Sequence, residues 1–199
     1  MTRESITRRA VLRSLSIGAV AGSVLRVIPL EAAEYAHNLI EAERAEPKAG
    51  GYVPKFFAAH QFETLQALCE TILPADPECG GAIEAGAPEF IDLLTSENAE
   101  YQSRLRAGFT WLDSTCSSRY GKAYLDCAPP QQAEIVDQIA YNKNAIQDES
   151  LRDAVDFFSL LRNMTADGFF TSKIGIKYLG YKGNTFLTEF PGCPPVPGI

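Results

Sequence analysis

The chain has 199 residues, 46% hydrophobic and 22% charged, with a formal net charge of −7, which is enough for one domain with its own core and too little for two. The charge is unevenly placed: residues 1 to 33 carry five Arg against two acids, +3, so the whole-chain −7 leaves −10 on residues 34 to 199. A domain this acidic lacks the cationic surface that displaces counterions from phosphate, and nucleic acid is excluded as a partner.

The run Thr7-Arg8-Arg9-Ala10-Val11-Leu12-Arg13, ahead of the apolar stretch from Ser14 to Leu25, reads as a twin-arginine export signal, with Arg8, Arg9 and Leu12 as its marker residues. The translocase that reads such signals moves folded proteins, so the chain is expected to fold, and bind whatever it binds, before crossing to the periplasm. Gly18, Ala19, Ala21 and Gly22 keep the apolar segment only moderately hydrophobic. Arg26 interrupts it short of the roughly 18 apolar residues that read as a spanning helix. Ala19-Val20-Ala21 fits the small-x-small cleavage rule early, and Glu31-Ala32-Ala33 fits it late and imperfectly, which leaves the cleavage site open. The organisation read from these features is a signal segment over 1–33, a polar linker over 34–55 ending in Glu46-Pro47-Lys48-Ala49-Gly50-Gly51, and a helical domain over 56–199.

Beyond the linker the apolar spacing predicts helices throughout. From about Phe57 to Leu73, Phe62, Leu65, Leu68, Cys69, Ile72 and Leu73 recur at three and four, and Pro74 ends the run. Asp76 to Gly81 reads as a turn, and Pro88 opens a short helix through Phe90, Ile91 and Leu94. Between Asn98 and Tyr120, Tyr101, Leu105, Phe109, Leu112 and Cys116 share one face, and Gly121 is placed to end the helix. Pro129 and Pro130 start a helix carrying Ile135, Val136 and Ile139, and Glu149 to Phe170 is the most regular helical run. No stretch alternates long enough for a strand. The fold class expected is therefore all-α, a single small helical domain.

The five cysteines, Cys69, Cys79, Cys116, Cys127 and Cys193, suit an oxidising compartment. None falls in Cys-x-x-Cys spacing and the chain has only two histidines, so zinc, c-type haem and an iron-sulfur cluster are unsupported. Cys116 and Cys127 stand at the neck of a helical hairpin, where a disulfide is geometrically plausible, and Cys69 and Cys79 are candidates for a second local pair across the Pro74 turn. Asp76, Glu78, Glu84, Glu89 and Asp92 read as a solvated acidic loop in preference to a calcium site. His37 and His60 read as surface or capping residues in preference to catalytic bases.

From Thr171 onward glycines and prolines recur, so a long helix is impossible there, yet Ile174, Ile176, Tyr178, Leu179, Tyr181, Phe186 and Phe190 are too apolar for a solvated tail. This irregular segment must lie against its own helices or a partner. Gly168-Phe169-Phe170-Thr171-Ser172-Lys173-Ile174-Gly175, Tyr178-Leu179-Gly180-Tyr181-Lys182-Gly183-Asn184 and Phe190-Pro191-Gly192-Cys193-Pro194 together resemble the C-terminal signature of the gluconate 2-dehydrogenase subunit 3 family. Thr71-Ile72-Leu73-Pro74, Ala85 to Asp92 and Asp137-Gln138-Ile139-Ala140 support the resemblance. It implies a non-catalytic small subunit that binds a leaderless, FAD-dependent glucose-methanol-choline-type dehydrogenase acting on a sugar, sugar acid or polyol, and supports its maturation and export. The resemblance also implies a multihaem cytochrome c as an electron outlet in such complexes, at the outer face of the inner membrane. FAD would belong to the large subunit, since this chain has no Gly-x-Gly-x-x-Gly between a strand and a helix. Phe169, Phe170, Tyr178, Leu179, Tyr181, Asn184, Phe190 and Cys193 become the expected partner surface. Trp111, off the stripe of Leu105, Phe109 and Leu112, is either a second buried face or a further anchor. The other reading of the same residues is a stand-alone periplasmic helical scaffold with no redox partner.

Overall fold

The computed structural model describes residues 30–45 and 52–183. Among them the chain forms helices and no strand: α1 (Leu30–Ala45), α2 (Ala59–Ile72), α3 (Ala82–Ala85), α4 (Ala87–Ser96), α5 (Ala99–Tyr120), α6 (Pro129–Ile139), α7 (Asn142–Gln147), α8 (Arg152–Phe170) and α9 (Lys173–Tyr178). The all-α class read from the apolar spacing is what the structure has. Short 3-10 turns, Tyr124–Asp126 and Glu149–Leu151, precede α6 and α8. Helix ends follow local chemistry. The Asn98 side chain accepts the Tyr101 amide at 3.1 Å to open α5, and Gly121, at φ 69°, closes it. Pro129 and Pro130 fill the first turn of α6, and Gln131 Oε1 accepts the Ala128 amide at 2.9 Å.

Helix α4 is the centre of the packing. Every residue from Ala87 to Thr95 is buried, and α1, α2, α3, α5 and α8 all touch this helix. Burial on all sides carries two carboxylates inside, and each needs donors to offset lost hydration. Asp92 accepts from Tyr52 Oη at 2.8 Å and from the backbone amides of Lys55, Phe56 and Phe57 at 2.6, 3.1 and 3.1 Å. Glu89 pairs with Arg44 of α1, whose guanidinium also donates to the Ile83 carbonyl at 3.1 Å. Beside α4, the rings of Phe56, Phe57, Phe109 and Phe157 form an edge-to-face series with successive centroids 5.0, 5.4 and 5.6 Å apart. The last of these contacts depends on Gly108, because a Cβ there would sit 2.0 Å from Phe157 Cδ2. Helices α5 and α8 can cross this closely only without a side chain at that position.

Three expectations are corrected. Residues 34–55, read as a polar linker, contain most of α1, which begins before residue 33 and buries Ala32, Ala33, Ala36, His37 and Ile40. Its seam is made of small side chains interleaved with Glu34, Asn38 and Glu41, so it looks polar in sequence. Glu89 and Asp92 are 5% and 0% exposed and do not belong to a solvated acidic loop. His37, read as a surface residue, is 7% exposed and stacks on Phe90 with centroids 5.1 Å apart. Helices α3 and α7 have no counterpart in the apolar spacing, because pieces this short carry no readable period.

Replacing Asp92 with Ala removes the acceptor of four hydrogen bonds and strands the buried Phe57 amide. With charged hydrogen bonds contributing about 1.5–3 kcal/mol each, the loss is expected to reach about 3 kcal/mol or more, and Asp92→Asn to cost less. Urea unfolding of both variants reads this directly; a loss below about 1 kcal/mol for Asp92→Ala would remove Asp92 from its central place.

Candidate partner interface

The C-terminal end of α8 turns directly into α9. Phe169 is 5% exposed and Phe170 39%, with their rings perpendicular at 5.1 Å, so adjacent residues serve the core and the surface separately. Thr171 closes α8 by donating its amide to the Asp167 carbonyl at 3.1 Å. Ser172 then opens α9: its Oγ accepts the Gly175 amide at 3.1 Å and donates to the Phe169 carbonyl at 2.7 Å. Gly175 is required here, because a Cβ would lie 2.1 Å from the Phe169 carbonyl oxygen. Helix α9 packs on α8 and α3 and leaves Tyr178 and Leu179 outward, 55% and 58% exposed, with Tyr181 just beyond at 48%. A cavity of about 440 Å³ opens beneath it, lined by Glu78, Cys79, Gly80, Ile174, Lys177 and Tyr178.

The N-terminal helix braces this end with polar contacts. His37 Nε2 lies 3.0 Å from Thr171 Oγ1, and the ring stands near the Gly168 backbone. Glu41 pairs with Lys173 of α9. Burial holds the His37 imidazole below its ordinary value of 6.5, with Glu41 acting in the opposite sense and Arg44 in the same.

The structure therefore brings together Phe169, Phe170, Tyr178, Leu179 and Tyr181 around one turn, with Phe169 serving as an internal anchor. Trp111 is elsewhere: half-buried on the outer side of α5, it lines an open groove of about 760 Å³ with Gln102, Arg106, Ala107 and others, none of which borders the α9 cavity. Asn184, Phe190 and Cys193, and the export residues Arg8, Arg9 and Leu12, lie outside the described residues. Cys69, Cys79, Cys116 and Cys127 are free thiols. The expected Cys69 and Cys79 pair is not seen: Cys69 is fully buried against α8, with Sγ 3.5 Å from Thr165 Oγ1, while Cys79 sits in the partly exposed loop of the α9 cavity. His60 bonds Asp113 at 2.9 Å, tying α2 to α5. Among the described residues no group of three or more His, Cys, Asp or Glu is arranged to hold a metal ion, and no helix is long and apolar enough to cross a membrane. The brace formed by His37 had no sequence signal, since its partners lie more than a hundred residues away.

The family model described as gluconate 2-dehydrogenase subunit 3 matches residues 59–192, from the start of α2 past the end of α9. Neither a curated protein nor a solved structure matches the chain.

Because Tyr178 and Leu179 are more than half exposed, Tyr178→Ala with Leu179→Ala is expected to leave helical circular dichroism unchanged and stability within about 0.5 kcal/mol. A large fall in Tm would show that they hold the domain together. His37 makes an opposite kind of prediction. Its folded form resists protonation, so below about pH 6.5 the unfolded chain binds the extra proton and stability falls as pH drops toward the folded pKa. Unfolding free energies measured between about pH 7 and pH 5.5 should show this slope in the native chain and its loss in His37→Gln.

Proposed function

Because the chain belongs to the gluconate 2-dehydrogenase subunit 3 family, we propose that it is the non-catalytic small subunit of an oxidoreductase complex that binds, stabilises and helps export a large FAD-dependent dehydrogenase of the glucose-methanol-choline type. The large subunit has no leader of its own and takes a sugar, sugar acid or polyol as substrate. The family match over residues 59–192 carries this reading. The exposed apolar turn supports it: Phe170, Tyr178, Leu179 and Tyr181 stand outward on one end of an otherwise acidic domain. Aromatic side chains left half-hydrated on a rigid turn are the usual anchors of protein interfaces, where covering them recovers hydrophobic free energy.

In this scheme FAD sits in the large subunit, and a multihaem cytochrome c accepts the electrons. The small chain contributes a folded, pre-shaped surface and the twin-arginine signal in Arg8, Arg9 and Leu12 that brings both subunits to the periplasm, at the outer face of the inner membrane. Asn184, Phe190 and Cys193 belong to the same proposed set of partner contacts by their place in the family signature, and Trp111 is proposed as a second contact.

Two experiments test the reading. Changing Arg8 and Arg9 to Lys is expected to leave the domain folded while both this chain and the co-expressed flavoprotein stay in the cytoplasm, read by fractionation and flavin content. Unchanged periplasmic activity of the flavoprotein would sink the carrier role. Tyr178→Ala with Leu179→Ala is expected to weaken the complex by about 2 kcal/mol or more, roughly thirtyfold in Kd. A chain that captures no flavoprotein under any condition would favour the stand-alone scaffold.

A further inference from the structure

Cys116 near the end of α5 and Cys127 just before α6 flank the intervening turn. Their side chains are 0% and 5% exposed, α5 packs on the Tyr124–Asp126 turn that leads into Cys127, and each thiol lies within the electrostatic reach of the other. The Cys127 thiol also donates to the Ala123 carbonyl at 3.3 Å. The chain between them is already held. The Gly121 amide donates to the Ser117 carbonyl at 2.9 Å, and the Tyr124 amide donates to Asp113 Oδ1 at 3.0 Å. The Gln132 side chain donates to the Tyr124 carbonyl at 2.9 Å. Tyr124 itself is 1% exposed, and its phenol is pushed up to about 12 by burial first and then by its neighbours Cys116 and Cys127. The turn between the two cysteines is thus fixed by hydrogen bonds before any bond forms between the sulfurs. The other described cysteines offer no competing pair, since Cys69 is turned to Thr165 and no other sulfur acts on it.

We propose that Cys116 and Cys127 are a disulfide site closed after folding: the packed domain places the two thiols in contact, and an external disulfide then oxidises them and staples the α5–α6 turn. The exchange balances. Cys127, the one with an exposed edge, loses its proton and its thiolate attacks a sulfur of the oxidant, expelling one thiolate and leaving a mixed disulfide. Cys116 then gives up its proton and attacks the Cys127 sulfur, forming the internal bond and expelling the second thiolate. Two protein thiols are oxidised, one external disulfide is reduced to two thiols, and both protons pass to the leaving thiolates. Burial pushes the Cys116 thiol up to about 12, which keeps it protonated and unreactive until a neighbouring mixed disulfide is in contact. The chain can thus remain a folded dithiol where disulfides are scarce and gain the staple where they are plentiful. This requires only a disulfide-bearing oxidant, and it stands whether or not the chain serves a dehydrogenase.

The test incubates the folded full chain with oxidised glutathione, alkylates it, and maps peptides without reduction. A Cys116 to Cys127 link is expected, with a Tm about 5 °C or more above that of the reduced chain. In Cys116→Ser, glutathione should stay attached to Cys127; in Cys127→Ser, Cys116 should remain an unmodified thiol, and neither variant should show the Tm difference. A Cys69 to Cys79 link, any other pairing of Cys116 or Cys127, or alkylation of both thiols overturns the proposal.

Discussion

A carboxylate at the middle of a helix buried on every side sets the terms for this fold. Asp92 is fully buried, and an unpaired charge there would cost several kcal/mol. Its four donors all come from residues 52–57, so the segment leading into α2 is pinned to α4 before α2 begins. Three of those donors are consecutive backbone amides, and the carboxylate caps them as a side chain caps a helix start. The aromatic series from Phe56 to Phe157 follows from this placement, because Phe56 and Phe57 are carried inward by the same residues that bond Asp92.

The second buried acid, Glu89, extends the constraint in the other direction. It draws Arg44 and with it α1 onto the carbonyls at the end of α3. The apolar seam of α1 consists of three alanines and Ile40 beside His37, and alanines bury little area, so polar contacts carry an unusual share of its docking. Those contacts reach the turn between α8 and α9 through His37 with Thr171 and Glu41 with Lys173. The end of the domain that exposes its aromatics is therefore braced from the N-terminal side by groups that respond to pH and salt, whereas the core around α4 is held by packing together with the buried hydrogen bonds of Asp92.

This division of labour suits a subunit of a larger complex. The core closes around α4, while α9 has only six residues and Tyr178 and Leu179 at its end stay outside. Phe169 and Phe170 show the boundary in two residues: consecutive positions on a helix point about 100° apart, so one ring enters the core and the next meets solvent. Gly175 makes the turn that sets this boundary, because only a residue without a side chain lets α9 fold back so close to the end of α8.

Much of the fold was legible in the chain itself. The three-and-four spacing that marks α2, α5, α6 and α8, the Gly121 stop and the prolines opening α6 all act within a few residues of each other, so sequence alone was enough to place them. The family signature around Phe169 to Gly183 was likewise contiguous. Tertiary structure decided what depends on distant partners. The acids of α4 read as a solvated loop because their donors lie on segments about 35 to 45 residues earlier. Helix α1 read as linker because an alanine seam shows no apolar period until something packs on it. Cys69 turned to Thr165 instead of Cys79, since a side chain on a buried helix face meets the neighbouring helix before it can reach a loop at its own end. Local periodicity could settle which residues are helical; which charges are buried, and what Cys69 packs against, was settled only when the helices packed.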